Sequence, residues 1–354
     1  MPETVFVAMS GGVDSSAAAL LLLEGGFRVV GVTLRLYDSC GAPPARGCCA
    51  LEDAFDARAV AGVLGIEHRV LEYQGPFQEK VVAPFVAAYA RGWTPNPCIL
   101  CNERIKFGAL WDYAAAHGAD ALATGHHARL VPEGGRVDLR RAADGAKDQS
   151  YVLFPLTLQQ RRRTLFPAGD MDKESLRDKA RAAGLPTADK RESQDICFVG
   201  AGDYADFVEA RLPVVRRGAV RHVDGRVLGR HGGIHRFTVG QRQGLGIPFT
   251  EPLYVVSLNP ETDEVTVGPK DALETPRFEA EGWNWHFPPE DRPAEVLVQV
   301  RYHQAPRPAR IVETAEGMMI EYSARPQGVT PGQAVVAYTG DTVVGGGWIR
   351  RGRA

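Results

Sequence analysis

Two short stretches of this chain carry residues whose types and spacing suit chemistry. The first is Ser10-Gly11-Gly12-Val13-Asp14-Ser15, which follows the apolar run Val5-Phe6-Val7-Ala8-Met9 and leads into Ala17-Ala18-Ala19-Leu20-Leu21-Leu22-Leu23. A buried strand that empties into a glycine turn and then a helix beginning near Asp14 aims several backbone N–H groups at one point, which suits a phosphate. No Gly-Lys-Ser/Thr closes the loop, so it is not a Walker A sequence. Its glycines are adjacent and Asp follows them, so it is not a dinucleotide fingerprint either. The bland alternative is a strand–turn–helix without a ligand. The second stretch is Thr94-Pro95-Asn96-Pro97-Cys98-Ile99-Leu100-Cys101-Asn102. Two prolines stiffen it, and a helix expected over Arg104–His117 would turn its N–H groups toward Cys101 and favour the reactive thiolate. Cys-x-x-Cys reads as a redox dithiol, half of a zinc site or part of an iron–sulfur ligand set. No second Cys-x-x-Cys exists to complete a zinc site, and two inert buried thiols are the alternative.

The other four cysteines are less telling. Cys197 lies in Glu192-Ser193-Gln194-Asp195-Ile196-Cys197-Phe198 and by itself reads as an ordinary buried thiol. Cys40, Cys48 and Cys49 lie in and beside the Gly/Pro-rich stretch Ser39–Gly47, read as a loop. The longest strictly apolar run, Ala17–Leu23, is far below the ~20 residues of a membrane span. No basic, apolar and cleavage-site sequence opens the chain, so a cytoplasmic protein is expected. There an even number of cysteines points to catalysis or metal rather than a disulfide framework. Net charge is −2 overall, but residues 204–250 hold eight arginines against three acids. That surplus reads either as a face for phosphates or as a solvated surface.

Stepping outward from these residues, strands are expected at Val5–Met9, Arg28–Leu34, Glu67–Leu71 and Ala119–Thr124. Helices are expected at Ser15–Glu24, Leu51–Leu64, Phe77–Ala90, Arg104–His117 and Lys173–Ala183. Such alternation predicts a parallel sheet covered on both faces, with ligands beyond the carboxyl ends of its strands. Ser10–Ser15 and Gly125-His126 each follow a strand and would share that crevice. Near Ala201 the texture changes to short β runs separated by turn residues. After the Pro-rich stretch Phe287–Pro293, five runs between Val296 and Trp348 predict a small antiparallel barrel or sandwich. Three domains are expected, at 1–203, 204–275 and 276–354.

The glycine loop resembles the PP-loop of enzymes that split ATP between its α and β phosphates. Further motifs narrow the match: Thr94-Pro95-Asn96-Pro97…Cys101-Asn102, Ala123-Thr124-Gly125-His126, Lys147-Asp148-Gln149-Ser150 and Ser193…Asp195-Ile196-Cys197-Phe198. Thr238-Val239-Gly240-Gln241-Arg242-Gln243-Gly244-Leu245-Gly246 follows, then Val300-Arg301-Tyr302, Pro331-Gly332-Gln333 and Gly345-Gly346-Gly347. Together, from about Val5 to Ile349, the chain resembles the tRNA-specific 2-thiouridylase family. The resemblance implies an α/β fold, with a PP-loop parallel-sheet domain (adenine nucleotide α-hydrolase-like), a small central tRNA-binding domain and a C-terminal β-barrel. It implies adenylation, by Mg2+-bound ATP, of the 2-carbonyl oxygen of a wobble uridine, and replacement of that oxygen by sulfur.

By the same resemblance, Ala8, Met9, Ser10, Gly11, Gly12, Val13, Asp14, Ser15, Leu34 and Gly125 would contact ATP, with Asp14 on the metal side. Asn96, Pro97 and Cys98 would line the pocket of a base splayed out of the anticodon loop. His126, Lys147, Asp148, Gln149, Arg301, Tyr302 and Gln333 would contact tRNA. Cys197 would carry a persulfide from a cysteine desulfurase or relay protein, and Cys101 would attack it. The implied RNA is the anticodon arm of the lysine, glutamate and glutamine acceptors; no membrane is implied.

This chain departs from the family's common pattern at two places. Cys98 stands where Asp is commonest, so Cys98, Cys101 and Cys197 form a possible ligand set for a 4Fe–4S cluster with one open iron, as in related PP-loop thiolases. His127 stands where Tyr is more usual. Two rival readings remain: a ligase that adenylates a carboxylate, which would need no thiols, and a non-catalytic RNA-binding or iron–sulfur sensing protein, whose glycine loop should have decayed.

Overall fold

The computed structural model describes residues 2–37, 51–191, 196–199, 203–324 and 328–350. Cys40, Cys48 and Cys49 lie outside the described residues, as do Ser193 and Asp195. The chain divides into two compact units. The first is Met1–Val82, Pro97–Gly202 and Asp341–Val343; the second is Ala83–Asn96, Asp203–Gly340 and Val344–Ala354.

The first unit is built on the parallel sheet that the strand–helix alternation predicts. It contains β1 (Thr4–Ala8), α1 (Val13–Glu24), β2 (Arg28–Arg35), α2 (Leu51–Leu64), β3 (Glu67–Glu72), β4 (Ala121–Thr124) and β7 (Thr164–Leu165), in strand order β3-β2-β1-β4-β7. Strand β1 is the switch point of the sheet. It pairs with β2 on one side and β4 on the other, so that Ala8 lies opposite both Val32 and Thr124. The loops leaving β1 and β4 therefore emerge side by side, where α/β sheets bind ligands. Val5, Val7, Ala121 and Ala123 are buried with Ala19, Leu22, Ala57 and Val60 from α1 and α2. Burial on both faces explains why β1 and β4 read as continuous apolar runs.

Three differences from the expected elements have physical causes. The helix expected at Arg104–His117 begins earlier, at α3 (Pro97–Cys101), and continues through π-helical Asn102–Ala109 into Leu110–Ala116. Proline suits a first helical position, because its missing N–H would be unsatisfied there anyway. The helix expected at Phe77–Ala90 is Gln74–Phe77, π-helical Gln78–Val82 and Ala83–Ala90, and the division between the units falls after Val82. A hairpin, β5 (Ala128–Glu133) and β6 (Arg136–Arg141), was not expected. It turns on Gly134 and Gly135, both at positive φ, as a two-residue turn requires.

Within the second unit, β8 (Gly218–His222), β9 (Val227–His231), β10 (Tyr254–Asn259) and β11 (Glu264–Gly268) form a sheet in the order β10-β11-β8-β9. The later strands are β12 (Arg277–Trp285), β13 (Val296–Gln299), β14 (Arg307–Thr314), β15 (Gly317–Tyr322), β16 (Ala334–Thr339) and β17 (Thr342–Ile349). Their order is β12-β15-β14-β13-β16-β17, and β12 also pairs with β17. The sheet thus closes on itself, and a barrel rather than a sandwich results. Among the described residues no helix is long and apolar enough to cross a membrane.

Candidate functional site

Two glycines, one in the loop between β1 and α1 and one at the end of β4, leave no room for a Cβ. Gly11 has φ +69°, and a Cβ there would lie 2.3 Å from the backbone oxygen of Asp53 on α2. Gly125, at the end of β4, approaches α1 as closely: its Cβ would lie 2.5 Å from Asp14 C and Ser15 N. Gly12 takes the N-cap position and gives α1 no side-chain cap. The first-turn N–H groups are therefore left for a ligand, and Asp14 sits among them. The hydroxyls of Ser15 and Ser16 turn back to the Gly12 carbonyl at 3.0 and 2.9 Å, and Ser10 N–H donates to Ser15 Oγ at 3.1 Å. This fixes the loop without using the helix N–H groups. Thr33 on β2 donates to the Met9 carbonyl at 2.8 Å and holds the other end.

Asp14 has two partners. Lys173 Nζ lies 2.5 Å and His127 Nε2 3.1 Å from the same oxygen, Oδ1. Burial works to raise the Asp14 pKa, but the His127 hydrogen bond and the Lys173 charge outweigh it and hold it below the usual carboxylate value. Since an ionised carboxylate only accepts, His127 must donate from Nε2. Its Nδ1 is buried without a hydrogen-bond partner. Neighbouring His126 lies between Phe107 and Phe166, with ring centroids 6.0 and 5.9 Å away, and its Nδ1 is 2.7 Å from Thr124 Oγ1. Burial, aided by the nearby Lys106 charge, holds His126 well below its ordinary pKa, so it is neutral.

A path of hydrogen bonds runs from the loop to the thiol-bearing helix. The His127 N–H donates to Gln149 Oε1 at 2.9 Å, and the Gln149 N–H returns to the His127 carbonyl at 2.8 Å. Val152 N–H donates to the Gln149 carbonyl, and Asn102, next to Cys101, donates from Nδ2 to the Val152 carbonyl at 3.1 Å. Asp148 is 7 % exposed and accepts from Arg141, Ala142 N–H, Ser150 N–H and Ser150 Oγ. It braces the turn that presents Lys147 and Gln149.

The thiols stand differently from the sequence expectation. Because the helix begins at Pro97, the first-turn position belongs to exposed Cys98, and half-buried Cys101 lies at the end of α3. The thiolate-favouring field expected at Cys101 therefore acts at Cys98. Half-buried Cys197 sits in a turn closed by Val199 N–H to the Ile196 carbonyl, and Phe198 beside it packs edge-on against Phe77 at 5.6 Å. Among the described residues, which include all three thiols, no group of three His, Cys, Asp or Glu side chains could hold a metal ion.

In the second unit, the segment leading to Asn96 is clamped from the barrel. Gln333 Nε2 donates to the Thr94 carbonyl at 2.8 Å, and Thr94 N–H donates to the Pro331 carbonyl at 2.9 Å. Arg301 Nη2 reaches the Val239 carbonyl and Thr330 Oγ1, both at 2.6 Å, and the Tyr302 ring lies tilted against His303 with centroids 3.9 Å apart. The arginine surplus is smaller than its sequence count. Arg221 pairs with Glu264, Arg216 approaches Asp263, Arg236 pairs with Asp206 and Glu209, and Arg226 pairs with Asp224. Arg217, Arg230 and Arg242 are exposed and have no acidic partner among the described residues. Lys173 is the residue that sequence reading missed, because it lies far from Asp14 in the chain and in none of the motifs.

Three family models match in sequence. They are described as a tRNA methyl transferase HUP domain over residues 3–201, a tRNA methyl transferase PRC-barrel domain over 205–269 and an aminomethyltransferase beta-barrel domain over 275–349. A tRNA-specific 2-thiouridylase MnmA of Rhodospirillum centenum is 48% identical over 99% of this chain and 92% of its own. Proteins of the same name from Geotalea uraniireducens and Chloroflexus aurantiacus are 46% and 47% identical, over 98% of this chain and 95% and 98% of theirs. With the glycine loop, the cysteines and all three domain models in one order, the chain belongs to the tRNA-specific 2-thiouridylase family.

Proposed function

We propose that this protein is a tRNA-uridine 2-sulfurtransferase that uses Mg·ATP to replace the 2-oxygen of a wobble uridine with sulfur. The observation that carries the reading is the bonded path from the ATP-type loop at Asp14, through His127 and Gln149, to Asn102 beside Cys101. It ties the activating loop to the sulfur-bearing helix. In this reading Ala8–Ser15, Leu34 and Gly125 hold ATP, and Asp14 is the protein carboxylate beside the metal-bound phosphates. Asn96, Pro97 and Cys98 line the base pocket. His126, Lys147, Gln149, Arg301, Tyr302 and Gln333 face the RNA, and Asp148 positions its neighbours. The domains are 1–203 for catalysis and 204–275 and 276–354 for the anticodon arm. A cytoplasmic location and the lysine, glutamate and glutamine acceptors belong to the same reading.

The uracil oxygen attacks the α-phosphorus, and pyrophosphate leaves with the bond electrons. For the sulfur the reading takes the persulfide route, with a 4Fe–4S cluster on Cys98, Cys101 and Cys197 as the alternative. A donor protein of the cysteine desulfurase or relay type loads Cys197 as a persulfide. The Cys101 thiolate attacks the inner sulfur and releases hydrosulfide; a Cys101–Cys197 disulfide forms, and two electrons from a thiol reductant reopen it. Hydrosulfide adds at C2 and AMP leaves. Methyl transfer, the activity in two of the family-model descriptions, would use neither the loop nor the thiols.

The direct test incubates purified chain, tRNA, Mg·ATP and a persulfide donor. The reading requires 2-thiouridine with AMP and pyrophosphate in equal amounts, and ATP split to ADP instead would overturn it. Anaerobically purified protein is expected to carry no stoichiometric iron, and Cys98→Ser to keep thiolation within about tenfold. Iron and sulfide that vanish in Cys98→Ser would restore the cluster reading. Replacing Arg217, Arg230 and Arg242 together by Ala is expected to lower tRNA affinity and to reduce its log–log salt slope by roughly 2–3. An unchanged slope would take those arginines off the RNA face.

A further inference from the structure

We propose that Lys173 is a phosphate-binding cation of this site: its ammonium group, seated on Asp14 Oδ1, moves onto the phosphates of ATP and offsets the charge that builds on the departing pyrophosphate. The inference rests on the ATP-cleaving reading above.

The lysine is committed to the loop by its own helix. It opens the helix Lys173–Ala182, where Asp172 caps by accepting from Glu174 and Ser175 N–H, and Leu176 is buried with Ala17 of α1. The first turn is therefore fixed against α1. From there the side chain runs inward, only 12 % exposed, to Asp14. Lysine is rarely buried to that degree without a charge to meet. Lys173 is also the one Lys or Arg side chain, among the described residues, that bonds to any of Ser10–Ser15.

Asp14 alone is a poor reason for such an arrangement. A carboxylate in the first turn of α1 already has a favourable helix-end field, and His127 already donates to its Oδ1. What calls for a further cation is the triphosphate that the loop is built to receive, because its Mg2+ offsets only part of its charge. It would bring several negative charges beside Asp14, and the cation already in reach is Lys173. The exchange is feasible because Asp14 stays partnered. When Nζ leaves, Oδ1 keeps the His127 hydrogen bond. The ammonium donates hydrogen bonds and no proton, so the balance of the step is unchanged: the α-phosphorus–oxygen bond breaks and pyrophosphate keeps the electrons.

The test is rapid-quench measurement of tRNA-dependent pyrophosphate formation at saturating Mg·ATP, using the full chain with Lys173→Met and Lys173→Arg. Lys173→Met is expected to slow this step by about a hundredfold or more, and Lys173→Arg to recover part of the loss. Melting temperature and tRNA affinity should stay at wild-type values in both. A Lys173→Met rate within about threefold of wild type would overturn the proposal. So would a loss matched by a fall in melting temperature or tRNA affinity, which would make Lys173 a brace. If the wild-type chain itself forms no pyrophosphate with tRNA, the ATP reading falls and this proposal with it.

Discussion

Serine at Cys101 or at Cys197 is expected to lower 2-thiouridine formation by about a thousandfold or more, while tRNA binding and pyrophosphate release are retained. The dissociation follows from where these residues lie. Neither belongs to the Ser10–Ser15 loop or to the group around Asp14, so ATP activation should not need a sulfur atom. Serine also preserves the packing that holds each site: Cys101 within a helical run, and Cys197 in a turn whose Phe198 packs on Phe77. What serine removes is the sulfur nucleophile and the sulfur atom that can carry a persulfide. The two variants should differ in a way that orders the steps. Cys101→Ser should accumulate a trappable persulfide on Cys197, because nothing then attacks its inner sulfur. Cys197→Ser should trap none, yet millimolar inorganic sulfide should partly restore it, since hydrosulfide is the species the relay delivers. Thiolation from a persulfide donor at the wild-type rate in either variant would end the assignment.

How much of this could be read from sequence depended on whether the signal was local. The glycine loop was legible because a positive φ and a close backbone approach are demands that only glycine meets; Gly11 meets both, and Gly125 beside the loop meets the second. The parallel sheet was legible because burial on both faces leaves Val5–Ala8 of β1 and Ala121–Ala123 of β4 as uninterrupted apolar runs. The helix start at Pro97 was missed although its signal was present. Thr94-Pro95-Asn96-Pro97 reads as a turn, and a proline after Asn is equally a helix start. The Gly134-Gly135 hairpin turn was a local signal of the same kind. The Lys173–Asp14 pair had no signal at all, because a contact across 159 positions is set by how α1 packs on the helix Lys173–Ala182. The arginine surplus misled for a related reason: Glu264 and Asp263, which offset two of the arginines, lie outside the stretch in which the charges were counted.

Alanine at Gly11 should damage both the fold and the nucleotide site. Two costs coincide there. At φ +69° an L-residue is strained by roughly 1–2 kcal/mol. Its Cβ would also fall 2.3 Å from the Asp53 carbonyl oxygen, a backbone atom that cannot rotate aside. Helix α2 is poorly placed to yield, because Asp53 and Asp56 are both held at 2.5 Å by Lys190. The loop must yield instead, and it carries the N–H groups meant for phosphate. Overpacking of this kind adds about 1–3 kcal/mol, so Gly11→Ala should lose roughly 2–5 kcal/mol of stability and bind ATP about a hundredfold more weakly. Gly26→Ala separates the two costs. Gly26 has φ +81°, but a Cβ there meets nothing within 4 Å, so its replacement should lose only the conformational part and leave ATP affinity at the wild-type value. The measurements are chemical denaturation and calorimetric titration with a non-hydrolysable ATP analogue. Equal behaviour of the two variants, or wild-type nucleotide affinity in Gly11→Ala, would show that the approach of α2 to the loop does not shape the nucleotide site.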